Sequence, residues 1–390
     1  MAPSPSGRHY GARAVRLVPT PCDAASVTTT TSAHPLDMIT ADEVTSAVGI
    51  TKADPRYPED SVFAHVRLHE PSKDGAPADR RVEALVVPRP GLEAIEVVVS
   101  LTAGEIVSWE MRPGMRPALL FGESFGAITK VREHPEWQAA LRRRGIDDFE
   151  LVQIDPWPAG SFGVAHEDGR RISRCIAYQR HSKEDNGYAH PIEGVIAFFD
   201  QGAGEVLVVV DLGVVPIPAE CSSYLPDDVG PMRTDLKPLE IVQPDGPSFE
   251  VDGSAVRWGP WSLRVGFDPY EGLVLHEVAY VDGDRARPVL HRASITEMVV
   301  PYGDPNPMHG WKNAFDAGEW GLGRMANSLK LGCDCLGVIH YFDAILRPRT
   351  ATRTRSSTRS ACTKRTTGSC GSTRTCTVAP ARSAGRDASS

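Results

Sequence analysis

Three hundred and ninety residues at 41% hydrophobic and 24% charged make a globular chain of about two to three domains, which excludes a fibrous or wholly disordered protein. The net charge of −8 hides an asymmetry, because residues 347–390 hold 10 basic side chains and one acid, leaving 32 Lys+Arg against 49 Asp+Glu in residues 1–346. So acidic a body is a poor partner for phosphate backbones, and a nucleic-acid role would rest on the tail alone.

Residues 1–33 are rich in Pro, Ser, Thr and Ala and end in Thr28-Thr29-Thr30-Thr31-Ser32, so they cannot bury a core and are expected to be disordered. They contain no continuous apolar segment before a small-residue cleavage site, and no run in the chain approaches eighteen apolar residues. The expectation is a cytoplasmic protein, neither secreted nor membrane-bound. From His34 the pattern changes. Thr40-Ala41-Asp42-Glu43 offers an N-cap with acids in the first turn, and Val44, Val48 and Ile50 give a short helical stripe. Ser61–Leu68, Arg81–Val87 and Ala94–Leu101 are β-branched runs separated by turn residues, predicting one helix on a three- or four-stranded antiparallel sheet over 34–118.

The same grammar recurs over 119–230. A longer helix is expected near Phe121–Arg144, then strands near Phe149–Ile154, Arg171–Gln179, Gly194–Asp200 and Glu205–Leu212. After the Pro-rich stretch Pro216–Pro238, the segments Ser248–Val251, Ala255–Trp258, Trp261–Phe267, Gly272–Val281 and Val289–Val300 read as successive strands. The fold class expected is α+β: two small helix-on-antiparallel-sheet domains, then the N-terminal part of a large antiparallel β-sandwich over 231–346. Eight scattered cysteines do not make a disulfide scaffold, and the single C-x-C pair, Cys333 and Cys335, supplies too few ligands for a metal site. His65 and His69, four apart on a strand, would stand about 13 Å apart, too far for one ion, and read as solvent-facing or partly buried.

Three later motifs carry more. Val300-Pro301-Tyr302-Gly303-Asp304-Pro305, Phe315-Asp316-Ala317-Gly318-Glu319-Trp320-Gly321-Leu322-Gly323 and Leu331-Gly332-Cys333-Asp334-Cys335-Leu336-Gly337 follow one another in the third region. With Arg292-Ala293-Ser294-Ile295, the Asn327–Lys330 stretch and Gln243–Phe249, they resemble the copper/topaquinone primary-amine oxidases from about His34 to Leu346. The resemblance implies homodimers that convert a primary amine, dioxygen and water to an aldehyde, ammonia and hydrogen peroxide. It implies that Asp316 is the catalytic base, a task suited to a carboxylate whose pKa an apolar pocket raises. A lone Asp before Ala-Gly would otherwise be a turn residue. Tyr302 corresponds to a tyrosine that hydrogen-bonds the quinone; on its residues alone it reads equally as a partly buried aromatic at a strand end. Ala314 stands where the family often has an aromatic gate, implying a roomier channel mouth. Tyr188 corresponds to a channel-lining position of the second small domain, although a surface-loop tyrosine fits as well. Cys335 resembles one half of a disulfide whose partner is not encoded as such.

The cofactor motif itself is missing from the sequence. None of the nine tyrosines lies between Asn and Asp or Glu, and no His-x-His pair occurs among the twelve histidines, so neither topaquinone nor copper is expected in this chain. The likeness stops at Leu346. Residues 347–390 contain nine Arg, ten Thr and eight Ser with Val378 as the only large aliphatic, so they are expected to be disordered. Reading the last base of each codon with the first two of the next, Ser360–Arg374 permit CMHEEDYGILWKHE and Arg374–Asp387 permit a stretch ending VRRSR, both resembling the family's next segments. The sequence reading is therefore a frame error near Leu346 that leaves an inactive, truncated oxidase, with normal dimerisation in doubt. Its alternatives are a non-catalytic binding or regulatory remnant and a basic-tailed nucleic-acid binder.

Overall fold

The computed structural model describes residues 34–73, 79–89, 91–158, 160, 167–220, 223–224, 226–230, 235–237, 239–306, 308–329 and 335–346, with the backbone of 372–376. Residues 1–33, Cys333 and Asp334 and the rest of the tail lie outside these. Helix α1 (Ala41–Ala53) begins at a true capping box: Glu43 N–H donates to Thr40 Oγ1 at 3.2 Å, and Thr40 N–H donates to Glu43 Oε2 at 2.8 Å. It packs Val44 and Ala47 against an antiparallel sheet of β1 (Ser61–Leu68), β2 (Arg81–Pro88), β3 (Glu93–Ser100) and β4 (Glu105–Pro113), in that order.

The second unit repeats this plan with one correction. The expected long helix is two, α2 (Phe121–Glu133) and α3 (Pro135–Arg142), because Pro135 cannot continue a helix and holds His134 extended at ψ 126°. Its sheet runs β5 (Val152–Pro158), β6 (Ile172–Gln179), β7 (Val195–Asp200), β8 (Glu205–Asp211). β5, with Pro156 and Pro158, takes an edge, as proline must. Every residue of β7 is buried. Its one face packs Ala197 and Phe199 with Trp137 and Leu141 of α3; its other packs Ile196 and Phe198 against Trp311 of the third region.

That region opens with a five-stranded antiparallel sheet, ordered β13-β12-β11-β10-β9, from β9 (Phe249–Asp252), β10 (Ala255–Trp258), β11 (Trp261–Asp268), β12 (Gly272–Asp282) and β13 (Arg285–Ser294). The sheet is not closed, as in a partial β-sandwich. The strand expected over Val289–Val300 is divided: β13 ends at Ser294, and a short β14 (Val299–Pro301) pairs instead with β15 (Asn313–Phe315). Next comes β16 (Tyr341–Ile345), which pairs with β17 (Ser372–Cys376), a strand inside the tail where none is expected. Thr373 and Thr375 are β-branched, and a short ladder needs only backbone pairing.

Polar contacts join the regions. His65 is buried, not solvent-facing, with Nδ1 3.2 Å from the Tyr270 hydroxyl and Nε2 3.2 Å from Glu83. His69 lies 3.7 Å from the same carboxylate, so the two rings converge on Glu83 despite their spacing along the chain. Among the described residues no helix is long and apolar enough to cross a membrane.

Candidate functional site

The β14–β15 hairpin brings together residues that the sequence separates. Val300 pairs with Ala314, and the ladder is extended by Tyr302 N–H to Lys312 O at 3.2 Å and Asp316 N–H to Met298 O at 3.0 Å. Side chains alternate along a strand, so Met298 and Tyr302 share a face with Ala314 and Asp316. These four line one cavity of about 700 Å³ with Tyr188 and Asp155 of the second unit and Phe121 and Phe125 of α2. Tyr302, Ala314, Asp316 and Tyr188, singled out separately in the sequence, thus meet at one cavity.

Asp316 begins a π-helical turn, Asp316–Trp320, whose closing bond runs from Gly321 N–H to Asp316 O at 2.8 Å. Glu297 organises the start of the turn. Its carboxylate accepts N–H bonds from Ala317 at 2.8 Å and Gly318 at 3.0 Å, and from its own neighbour Met298 at 2.9 Å. A carboxylate at the amino end of a turn satisfies donors that have no partner within it. Glu319, three residues after Asp316, accepts the Phe315 N–H at 3.2 Å. Burial, and then the charges of Glu297 and Asp316, push its carboxyl up to about 7.

Two glycines lock the segment that follows. An added Cβ at Gly323 would lie 2.2 Å from Asp268 O, and Gly321 takes a φ of +82° beside Pro269 O. This closeness lets Leu322 N–H and Arg324 N–H donate to Tyr270 O and Pro269 O at 2.7 and 2.8 Å, tying the Asp316 turn to the β11–β12 corner.

Tyr302 stands at the other end of the hairpin, half exposed, with its ring edge-on to Trp157 at 5.3 Å and the Lys312 ammonium 5.2 Å from its centroid. Trp311, edge-on to Trp157 at 6.0 Å, continues the stack onto the outer face of the second sheet. Burial draws the Lys312 ammonium below its ordinary range. Ala314 is buried and lines the cavity on the same strand face as Asp316.

The second unit supplies the opposite wall. Tyr188 sits in a short 3₁₀ turn, Gly187–Ala189, edge-on to Tyr178 at 5.0 Å, and lines the cavity together with Asp155. Burial raises the Asp155 carboxyl, against the hydrogen bond from the Gln153 amide at 3.2 Å. Asp155, Glu297 and Glu319 were not singled out from sequence; Asp155 alternates with Val152 and Ile154 on the same face as Gln153, which in sequence is the pattern of an ordinary half-exposed strand. Cys335 lies outside the cavity, its sulfur 3.0 Å from the Tyr341 hydroxyl. The described residues contain one group of three metal-ligating side chains, His181, Asp185 and His190, in the loop after β6.

Comparison with known proteins matches residues 250–363 to "Copper amine oxidase, enzyme domain", 124–224 to "Copper amine oxidase, N3 domain" and 40–109 to "AGAO-like N2 domain". The first match runs past Leu346, where the likeness read from sequence stopped. A primary amine oxidase of Arthrobacter sp. strain P1 is 46% identical over 315 residues, which are 80% of this chain and 48% of that protein. A histamine oxidase of Arthrobacter globiformis is 41% identical over 341 residues, 85% of this chain and 49% of that one. Among solved structures, a copper-containing benzylamine oxidase from Hansenula polymorpha superposes with a TM-score of 0.70 at 28% identity, covering 80% of this chain and 52% of its own. The chain spans about half the length of the relatives it matches.

Proposed function

Since the chain belongs to the copper amine oxidase family, we propose that its cavity is the amine-access half of a primary-amine oxidase site, with Asp316 as the base and Tyr188 on the channel wall. The parent reaction takes a primary amine, dioxygen and water to an aldehyde, ammonia and hydrogen peroxide. The observation that carries this reading is the convergence of Tyr302, Ala314, Asp316 and Tyr188 on one cavity. Asp316, on a turn pinned by Glu297 and by the glycines at 321 and 323, is held to take a proton from the carbon beside the amine nitrogen. Tyr302 offers a phenolic donor that carries no charge. With alanine at 314, the mouth admits bulkier amines than an aromatic gate would pass.

The residues present do not fit a copper–quinone centre. No histidine or cysteine is among the described residues lining the cavity, and the sequence contains neither an Asn-Tyr-Asp/Glu triplet nor a His-x-His pair. A base without an electron acceptor cannot complete a two-electron oxidation. We therefore propose that these 390 residues are inactive by themselves and that a frame error near Leu346 separates them from the cofactor segments.

Two measurements test this. Resequencing the gene across Leu346 and Arg347 should reveal a gained or lost base, with the corrected frame continuing to a CMHEED-like segment, an Asn-Tyr-Asp/Glu triplet and a His-x-His pair. An intact frame without those motifs downstream would refute the frame error. The copper-supplemented chain should release no amine-dependent peroxide, whereas the frame-corrected protein should, with Asp316→Asn lowering its rate by about 10²–10⁴-fold. Peroxide from the uncorrected chain, abolished by Asp316→Asn, would overturn the inactivity; a corrected protein indifferent to Asp316→Asn would overturn the role of the base.

A further inference from the structure

The loop between β6 and β7 gathers His181, Asp185 and His190, each with one donor atom within 4.8 Å of the others. Their spacing is H-x₃-D-x₄-H. His190 is fully buried, and its Nε2 lies 2.6 Å from the carbonyl oxygen of Glu220. A carbonyl can only accept, so Nε2 carries the proton and Nδ1 of the neutral ring presents a lone pair. That Nδ1 is buried without a hydrogen-bond partner and faces Asp185 Oδ2 at 3.6 Å.

A buried ring nitrogen opposite a carboxylate oxygen, with no hydrogen bond between them, is an arrangement that a proton or a metal cation resolves. The distance suits the latter. Two ligand atoms each about 2.1 Å from a tetrahedral zinc ion stand about 3.4 Å apart. The surroundings are also those of a ligating histidine, which commonly donates its other ring N–H to a backbone carbonyl and is thereby fixed in tautomer and direction. Asp185 is equally fixed. Its Oδ2 accepts the His181 N–H at 2.8 Å and its Oδ1 the Asn186 N–H at 2.8 Å, bonds that hold the carboxyl below its ordinary range. His181 is exposed, its ring edge-on to His190 with centroids 4.6 Å apart, and one of its ring nitrogens lies within 4.8 Å of the His190 and Asp185 ligand atoms.

We propose that His181, Asp185 and His190 form a binding site for a divalent transition ion of the zinc class, with its remaining position open to water. Two imidazoles and one carboxylate suit zinc or a neighbouring first-row ion, and supply too few oxygens for calcium or magnesium. The site stands whether or not the cavity oxidises amines. Its structural consequence is local: Asp185 and His190 bracket the Gly187–Ala189 turn that carries Tyr188 to the cavity wall. Gly187 makes the bracket possible, since a Cβ there would lie 2.9 Å from Gln153 Oε1 and 3.1 Å from Arg180 Cγ. The ion closes this ten-residue loop into a staple and limits the movement of Tyr188.

The test uses the full chain, stripped with chelator and titrated with Zn²⁺ by calorimetry, with bound metal counted after dialysis. His190→Ala risks the fold, so the variants are His181→Ala, at an exposed position, and Asp185→Asn. The wild type should bind one zinc more than His181→Ala, and both variants should lose at least tenfold in affinity at that site. Zinc should raise the melting temperature of the wild type but not of His181→Ala, whose metal-free melting should match the wild type; Ca²⁺ and Mg²⁺ should do neither. Equal zinc stoichiometry and affinity in wild type and both variants would overturn the site. No zinc bound by the wild type would overturn it too, leaving a proton shared between His190 and Asp185 as the occupant.

Discussion

Replacing Glu319 by Gln should stabilise the protein at pH values above about 7 and change it least below about 4.5. The folded carboxyl titrates near 7 against an ordinary 4.5, because burial, then the charges of Glu297 and Asp316, penalise its ionised form. Between those two values the folded protein holds a proton that the unfolded chain has lost, so stability falls as pH rises through the window. The stabilisation from that proton is complete below 4.5 and is gone above about 7. For a fully enclosed carboxyl the difference would be worth about 3 kcal/mol. Glu319 is partly solvated, and screening reduces the share expected to about 1–2 kcal/mol. Gln is neutral throughout, and its amide oxygen can still accept the Phe315 N–H. Urea unfolding of wild type and Glu319→Gln across this pH range measures the effect. Their difference isolates this position together with its coupling to Glu297 and Asp316. The difference should grow in favour of Gln by about 1–2 kcal/mol with rising pH. A difference that is flat with pH, or that favours Glu at high pH, would show that this carboxyl is not held protonated by the turn.

Gly323→Ala should cost the upper part of about 1–3 kcal/mol, since its Cβ would meet a backbone carbonyl at 2.2 Å. Gly318→Ala should cost less, because its nearest neighbour is the movable Glu297 carboxylate at 3.0 Å; equal losses in denaturant melts would contradict the packing described. Arg171→Ala should cost about 3 kcal/mol, the lower end for a broken buried pair, because the Glu123 carboxylate, which Arg171 grips with two bonds of 2.5 and 2.8 Å, keeps the Leu120 N–H at 2.9 Å and the Arg89 guanidinium at 3.5 Å. The double variant Arg171→Met, Glu123→Leu should recover much of that loss, and failure to do so would place the cost in packing instead of charge.

Most of the small units was legible in sequence because their strands are short β-branched runs and their turns are punctuated by Gly, Pro and Asp. The capping box of α1 was visible in four residues. β4 was only half anticipated, since an edge strand with mostly exposed side chains, Glu105–Pro113, carries little alternation. The break between α2 and α3 was missed although Pro135 signalled it, because the apolar stripe continues through Val131, Trp137 and Leu141 and resembles one helix. Asp316 and Tyr302 were found through motifs, not physical patterning. Nothing in their local sequence shows that they share a face; the β14–β15 register does.

What stayed hidden is what depends on chain segments meeting. Glu297 acts at the Asp316 turn from 19 residues away, and Asp155 reaches the cavity only because the second sheet is covered on both faces. The double burial of β7 has a mechanical consequence. One face is filled by α3; the other is filled by Trp311, which is followed directly by Lys312 and the strand leading to Asp316. The Trp157–Trp311 contact and the Lys312 ammonium over Trp157 at 5.4 Å therefore fix the β14–β15 hairpin to the second unit's sheet. The cavity wall is thus held within these residues: Tyr302 by its ring and ammonium contacts to Trp157 and Lys312, Asp316 by the backbone bonds of the hairpin and the Glu297 carboxylate. The packing of the second unit's sheet therefore sets the place of the hairpin, and the polar contacts at its open end set the turn that carries Asp316.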